Sequence, residues 1–215
     1  MDRPTTHSKD IHTIVPMTVP IILASGSQVR AALLRNAGVP ITVSPARVDE
    51  DMIKAALLAE DATPRDVADA LAESKARKIA EKTPEATVIG CDQVLAFQGR
   101  LLSKPETPDV LRQQLSDMRG RQHKLLSAVV LYRNAQPNWR TVGEVRLTMH
   151  DLSDAYIDDY VTRHYDSVRH CVGGYKLEEE GARLFSKIEG DYFTVLGLPL
   201  LDLLSYLVQS GELNR

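Results

Sequence analysis

Short apolar runs alternate along this chain with segments whose apolar residues are spaced as in a helix, and only a few fold classes are compatible with that alternation. Residues 19–24 (VPIILA) have the length of a strand, and residues 27–38 (SQVRAALLRNAG) place apolar side chains at helical intervals before a glycine. Residues 40–46 and 86–92 (ATVIGCD) are typical of strands, whereas residues 64–81 carry an apolar stripe typical of a helix. Strands interleaved with helices indicate an α/β fold.

Antiparallel pairing is predicted after residue 92. Residues 94–102 (VLAFQGRLL) resemble a hairpin that turns at Gln98-Gly99, and residues 123–134 and 138–150 alternate in part and are joined by a short turn. The remaining predicted elements are a helix over 108–118, a helix capped by Ser153, a strand near 181–188 and a leucine-rich closing helix. Together these patterns predict an α/β domain with a mixed β-sheet flanked by helices.

Composition and charge fit an ordinary soluble domain over residues 19–212. The 215 residues are 43% hydrophobic and 26% charged, which allows a substantial core, and the formal net charge of −3 excludes a nucleic-acid polymer as an expected partner. Residues 1–18 lack the apolar run of a signal peptide and are expected to be a disordered lead-in, with Met17 as an alternative translation start. No segment suits a membrane span, so a cytoplasmic location is expected.

Neither a disulfide nor a zinc site is predicted. Cys91 and Cys171 lie far apart and in no metal-ligand pattern, which fits a reducing compartment and structural thiols. His164 and His170 are six residues apart, and the other histidines lie on separate predicted elements or in the lead-in.

A candidate anion site lies at residues 25–30 (SGSQVR), where the first predicted strand gives way to a helix. Backbone N–H groups at a helix start lack intrahelical partners and lie at the positive end of the helix dipole. Ser25 and Ser27 offer hydroxyls, and Gly26 permits close approach of the backbone. Arg30 offers a bidentate contact to a phosphate. A helix capped by serine, with a solvated arginine, is the alternative interpretation of the same residues.

Carboxylates and lysines supply a second group of candidates. Asp92 ends one predicted strand, and Glu50 follows another within an acidic turn at residues 49–51, so both are expected at the rim of the sheet. Two such carboxylates can hold Mg²⁺ and leave coordination positions for water and phosphate, although aspartate after a strand is also a common turn residue. Lys75 and Lys104 add cations that suit a polyphosphate, although each alone is also typical of an ordinary surface.

Six stretches of the sequence, in order, resemble the Maf family of nucleotide pyrophosphatases, relatives in fold of the inosine triphosphate pyrophosphatases. They are LASGSQVR (23–30), VDED (48–51), LAESKA (71–76), VIGCDQVLAFQGRLLSKP (88–105), GGYKLEEEG (173–181) and IEGDYFTVLGLPL (188–200). The resemblance covers residues 21 to 211 and implies an elongated mixed sheet flanked by helices, with two lobes around a central cleft.

This resemblance implies hydrolysis of a nucleoside triphosphate to the monophosphate and pyrophosphate, with Mg²⁺ or Mn²⁺ as cofactor. By position, Asp92 is the implied catalytic proton acceptor and, with Glu50, a metal ligand. The implied phosphate-binding residues are Ser25, Ser27, Arg30, Lys75 and Lys104. A homodimer is a further expectation, by analogy with the family.

Three positions bear on which nucleotide is preferred. Gln93 and Glu178 resemble the branch of the family associated with 7-methyl-GTP, whereas Val29 matches neither that branch nor the pyrimidine-acting one. A carboxylate suits guanine because it can accept hydrogen bonds from N1–H and the 2-amino group. We therefore expect a modified or noncanonical nucleotide of the 7-methyl-GTP type. The alternatives are a dTTP/UTP pyrophosphatase and a weakly catalytic, nucleotide-binding regulator of cell division.

Overall fold

The computed structural model describes residues 19–214. The predicted lead-in over residues 1–18 and the alternative start at Met17 lie outside the described residues. Within them the strands are β1 (Ile21–Leu23), β2 (Ile41–Val43), β3 (Thr87–Phe97), β4 (Arg100–Leu102), β5 (Gln122–Arg133), β6 (Gln136–Met149) and β7 (Phe185–Glu189). The helices are α1 (Gln28–Asn36), α2 (Glu50–Ala59), α3 (Pro64–Ala80), α4 (Pro108–Met118), α5 (Asp154–Val168), α6 (Tyr192–Val195) and α7 (Leu200–Gln209), with a 3-10 helix at Glu180–Leu184.

Over residues 19–214 the strands form one seven-stranded sheet in the order β2-β1-β3-β5-β6-β7, with β4 paired to β3 outside this path. Strand β1 runs parallel to both β2 and β3, and the other pairs are antiparallel. The predicted α/β fold with a mixed sheet flanked by helices is therefore confirmed. The division into two lobes stays a prediction. No helix among these residues is both long and apolar enough to cross a membrane.

Local signals explain most of the element boundaries. Thr63 and Asp66 form a reciprocal capping box at the start of α3, and Pro64 occupies its first turn. The hairpin between β3 and β4 turns at Gln98-Gly99, as predicted, and both residues have positive φ, as a two-residue turn of this kind requires.

The predicted end of a strand at Asp92 is wrong. Strand β3 continues to Phe97 because antiparallel pairing with β5 runs without interruption from Val88 to Ala96. Asp92 nevertheless lies at an opening in the sheet. The parallel partner β1 pairs with β3 only as far as Ile89, so one backbone edge of β3 is open beside Asp92.

The predicted acidic turn at residues 49–51 is the beginning of helix α2, which the sequence patterns did not reveal. Asp49 is its N-cap, and its Oδ1 accepts a hydrogen bond from the backbone N–H of Met52 at 3.0 Å. No side chain of α2 is buried, and Met52 is 64% exposed. Only Ile53 and Leu57 pack against the core, and each is only partly buried, so the apolar stripe by which a surface helix is usually recognised is weak here.

Both faces of the central strands are covered. Val88 and Val94 of β3 pack with α3 on one face, whereas Ile89 and Cys91 pack with α1 and α7 on the other. Side chains alternate between the faces of a strand, so Asp92 lies on the α3 face and Gln93 on the opposite one. Because the edge of β3 is open where β1 ends, residues from both faces of the sheet can contribute to one site.

Candidate active site

A cavity of about 580 Å³ lies at this open edge of β3, within the size range of small-molecule sites. Its walls come from the loop before α1, from α2, α3 and β3, and from the segment after α5. All ten residues singled out from the sequence line it: Ser25, Ser27, Val29, Arg30, Glu50, Lys75, Asp92, Gln93, Lys104 and Glu178. Residues spread over more than 150 positions are thus brought together by the fold.

Three charged side chains form the centre of the cavity. The Lys75 Nζ lies 2.5 Å from Asp92 Oδ1 and 2.7 Å from Glu50 Oε1. The side chains of Lys75 and Asp92 are only 11% and 8% exposed, so both charges depend on each other for compensation. Two carboxylates share one ammonium, which leaves a net negative charge facing the cavity.

Close packing of α3 on β3 places Lys75 beside Asp92. A Cβ added to Gly90 would lie 2.2 Å from the Ala72 carbonyl oxygen and 2.8 Å from Ala76 Cβ. Only glycine in the strand and small residues on the helix allow this approach. Since Lys75 adjoins Ala76 and Asp92 follows Gly90 by two residues, the contact sets the distance between the two charges.

The ion pairs shift the protonation equilibria of their members. Burial by itself would raise the pKa of Glu50, but the hydrogen bond and charge of Lys75, with the charges of Lys104 and Lys54, outweigh it and lower that pKa. Burial would likewise lower the pKa of Lys75, but Asp92 and Glu50 outweigh it and raise that pKa. Lys75 is therefore a permanent ammonium, and Glu50 is ionised at neutral pH.

The loop before α1 is a serine-capped helix start that leaves several backbone N–H groups without an acceptor among residues 19–214. Ser27 is the N-cap, with its Oγ 3.4 Å from the backbone nitrogen of Arg30, a long and weak bond. The backbone N–H groups of Gly26, Gln28 and Val29 donate to no acceptor among residues 19–214. They point out of a helix N-terminus, where an anion is favoured.

Arg30 is held mainly by backbone. Its Nε donates to the Gly197 carbonyl at 2.8 Å, and its Nη1 donates to the Cys91 carbonyl at 3.1 Å and to Ser25 Oγ at 3.3 Å. Gly197 has a φ of +92°, and a Cβ there would lie 2.9 Å from the guanidinium, so glycine is required for the contact. Within the described chain, Nη2 is the guanidinium nitrogen left without an acceptor.

Glu50 and Asp92 suit a divalent cation as ligands. Over residues 19–214 no group of three or more His, Cys, Asp or Glu side chains converges as a closed metal site would need. Mg²⁺ is commonly held by one or two carboxylates, with water and substrate phosphates filling the other positions. Each of these two carboxylates uses one oxygen for Lys75, and the second oxygen of each makes no hydrogen bond in the described range.

Gln93 has a fixed orientation on the other face of β3. Its Nε2 donates to Ser127 Oγ at 2.9 Å and to the carbonyls of Val195 and Thr194 at 3.0 and 3.2 Å. Two carbonyl acceptors require the amide nitrogen on that side, so the amide cannot be reversed. Its Oε1, which can only accept hydrogen bonds, accepts none from residues 19–214.

The segment after α5 forms the remaining wall. Lys176 is tied to Glu179 at 2.9 Å and to Ser167 at 2.7 Å, which restrains the neighbouring Glu178. Besides Val29, four other apolar side chains line the cavity: Val172, Leu177, Val195 and Leu196. Such surfaces suit the flat faces of a base.

Tyr175 is the buried support of this wall. Its hydroxyl is 2.7 Å from Nε2 of His123, and burial lowers the pKa of that histidine to about 4, so the ring is neutral.

Cys91 is fully buried, and burial raises its pKa to about 11, as expected of a structural thiol. Cys171 lines the cavity, and both cysteines are free.

Two cationic residues of the cavity were missed from the sequence, Lys54 and Lys176. Lys54 lies one turn after Glu50 on α2, so recognising Asp49 as an N-cap would have placed both on one helix face. Lys176 was quoted within a motif but given no role, and no local signal separates it from a surface lysine.

Comparison with known proteins finds one matching family and several similar proteins. The sequence matches a family model described as Maf-like protein over residues 20–210. A protein of Ruegeria pomeroyi named nucleoside triphosphate pyrophosphatase is 63% identical over 198 residues, 92% of this chain and 100% of that protein. A protein of Brucella abortus named 7-methyl-GTP pyrophosphatase is 46% identical over 191 residues, 89% of this chain and 96% of that protein. Among solved structures, a Mycobacterium abscessus nucleoside-triphosphatase (dITP/XTP pyrophosphatase) is similar with a TM-score of 0.41 and 16% sequence identity. The match covers 89% of this chain and 95% of that chain.

Proposed function

This chain belongs to the Maf-like protein family and is a nucleoside triphosphate pyrophosphatase, and we propose that Asp92 and Glu50 organise its chemistry on a guanine-type nucleotide. The observation that carries the proposal is the buried bridge in which Lys75 contacts both carboxylates within 2.7 Å, at the centre of the cavity. A pocket that only bound nucleotide would need no carboxylate positioned to accept a proton.

The triphosphate is proposed to lie between the loop before α1 and the charged centre. The free N–H groups at the start of α1 and the hydroxyls of Ser25 and Ser27 bind phosphate oxygens. Lys104, which is exposed and lines the cavity, adds a cation, and Arg30 contributes through Nη2. These contacts hold the α-phosphorus in place for attack by water.

Asp92 is proposed to orient the attacking water and accept its proton. Lys75 keeps Asp92 and Glu50 in a fixed relation, and its ammonium limits their mutual repulsion before substrate arrives. To reach a phosphate itself, as the family resemblance implies, Lys75 must exchange one carboxylate for a phosphate oxygen. Glu50 and Asp92 would hold a divalent cation such as Mg²⁺ or Mn²⁺, which would supply positive charge against the polyphosphate.

Hydrogen-bond polarity supports a guanine-type base. Gln93 presents an acceptor, because its amide nitrogen is already engaged, and the carboxylate of Glu178 presents only acceptors. Guanine offers adjacent donors at N1 and the 2-amino group, whereas uracil and thymine offer one donor flanked by two acceptors. Methylation at N7 adds a positive charge to the base, which a nearby carboxylate favours. The 46%-identical relative named for 7-methyl-GTP fits this direction.

The experiment that tests the proposal measures pyrophosphate release from a panel of nucleotides with Mg²⁺ or Mn²⁺. We expect the highest kcat/KM for 7-methyl-GTP, with GTP, dTTP and UTP lower. A preference for dTTP or UTP would overturn the proposed guanine-type base, but the proposed reaction would still stand. Binding of nucleotides without release of pyrophosphate from any of them would favour a regulatory protein instead.

A further inference from the structure

We infer that Lys54 is a further phosphate-binding residue of this cavity, one that contacts the β- and γ-phosphates and therefore the pyrophosphate leaving group. The inference deepens the proposed function and rests on it. It follows from where α2 places the ammonium and from the partners that the other cations of the cavity already have.

Helix α2 directs Lys54 toward the charged centre. The Asp49 cap fixes the start of the helix, and residues four apart in a helix share a face, so Glu50 and Lys54 both line the cavity. The Lys54 side chain is 27% exposed, with its stem partly covered by the protein.

The Lys54 ammonium has no close partner among residues 19–214. Its Nζ is 3.9 Å from Glu50 Oε2 and 3.9 Å from Asp51 Oδ1, both longer than a hydrogen bond. Asp51 is 97% exposed, so that pair is screened by solvent and adds little. The ammonium is thus free to exchange weak contacts for a phosphate oxygen.

Most other cations of the cavity already make short hydrogen bonds or ion pairs within the protein. Lys75 is bonded to two carboxylates, Arg30 to two backbone carbonyls, and Lys176 to Glu179 and Ser167. Of the cavity's lysines and arginine, Lys54 and Lys104 are those that no described residue engages with a hydrogen bond. A triphosphate brings several negative charges to a centre whose net charge is already negative, so the uncommitted ammonium groups must take part.

Lys54 lies beside Glu50, with its Nζ 3.9 Å from Glu50 Oε2, on the wall of the cavity that α2 forms. The segment that suits the base, after α5, belongs to a different wall. Contact with the distal phosphates, and not with the nucleoside monophosphate half of the substrate, follows from this placement.

The test compares Lys54→Met with Lys54→Arg and with Lys82→Met, a matched removal of an exposed lysine that lies outside the cavity. Calorimetry measures the affinity of each variant for inorganic pyrophosphate and, separately, for GMP, the two products of the reaction. We expect Lys54→Met to weaken pyrophosphate binding about tenfold, the typical worth of one charge-assisted hydrogen bond, and to raise KM for the nucleotide by a similar factor. GMP binding should not change, Lys54→Arg should restore most of the affinity, and Lys82→Met should match the wild type.

Wild-type pyrophosphate affinity in a folded Lys54→Met protein would overturn the inference. A fall in kcat alone, with both product affinities unchanged, would also overturn it and would make Lys54 a positioning residue for Glu50. Wild-type protein that binds pyrophosphate but hydrolyses no nucleotide would overturn the proposed function and leave the phosphate contact standing.

Discussion

Lys75 on α3 donates to Asp92 on β3 at 2.5 Å, across a helix and strand packed so closely that no side chain fits at Gly90 between them. The pair links the fold to the proposed chemistry. A residue two positions before Asp92, with no functional group of its own, sets the geometry of the site.

Gly90→Ala should disturb both stability and activity. The added methyl group would lie 2.2 Å from the Ala72 carbonyl oxygen, so α3 must move away from β3, and Lys75 moves with it. Overpacking of this kind costs about 1–3 kcal/mol of unfolding free energy. Urea denaturation measures that cost, and pyrophosphate release measures the accompanying loss of turnover.

Gly26→Ala is the matched control for stability alone. A Cβ there meets only Pro45, at ordinary contact distances of 3.7 Å or more, so the free energy of unfolding should stay close to that of the wild type. Equal stability of Gly90→Ala and the wild type would show that the close packing is not required.

Lys75→Met should destabilise the protein strongly. The variant leaves Asp92, whose side chain is 8% exposed, beside Glu50 with no cation hydrogen-bonded to either carboxylate. Breaking a buried ion pair by removing one partner costs about 3–5 kcal/mol of unfolding free energy. Thermal and urea unfolding measure the loss, with Lys82→Met as a control for the removal of an exposed lysine. Unchanged stability would mean that the two carboxylates do not depend on Lys75.

Glu50→Gln should weaken the acid sensitivity of the fold. The pKa of Glu50 is lowered in the folded protein, since Lys75 and neighbouring lysines outweigh its burial. A lowered pKa stabilises the fold above the ordinary value of 4.5, and this stabilisation is lost as pH falls through the folded pKa. Unfolding free energies measured from neutral pH down through this window should fall less steeply in Glu50→Gln than in the wild type. The exposed Glu85→Gln should follow the wild type, and equal slopes for all three proteins would contradict the assignment.

Glu178→Gln should change base preference more than overall activity. The substitution replaces an acceptor-only carboxylate with an amide of the same size that also donates. We expect kcat/KM for 7-methyl-GTP to fall about tenfold, the typical cost of losing one hydrogen bond to a charged group, with little change for dTTP. Glu85→Gln is again the control, and a uniform fall for all nucleotides would contradict a role in base selection.

The sequence predicted elements whose signals are local. Helix α4 over Pro108–Met118 and the turn at Gln98-Gly99 follow from caps, prolines and turn residues within a few positions. Helix α2 was missed because its apolar residues are divided between two sides: Ile53 and Leu57 pack partly against the core, whereas Met52 and Leu58 are exposed. The extent of β3 was misjudged because pairing with β5, about thirty residues further along the chain, continues the strand past Asp92.

The candidate site could be predicted as a set of residues but not as a geometry. Lys75 was expected to face phosphate, yet it bridges Asp92 and Glu50, because the approach of α3 to β3 is decided by Gly90 and Ala72. The fixed amide of Gln93 likewise depends on backbone carbonyls about one hundred residues further along the chain. Contacts of such long range follow from topology, which no local pattern encodes.

Asp92→Asn removes the carboxylate that is proposed to accept the proton of the attacking water. Pyrophosphate release from 7-methyl-GTP should fall about 10²–10⁴-fold, the usual contribution of a positioned general base. Inorganic pyrophosphate should still bind, and Asp51→Asn, at a carboxylate 97% exposed, should retain wild-type turnover. Near-normal pyrophosphate release by Asp92→Asn would show that Asp92 is not the proton acceptor.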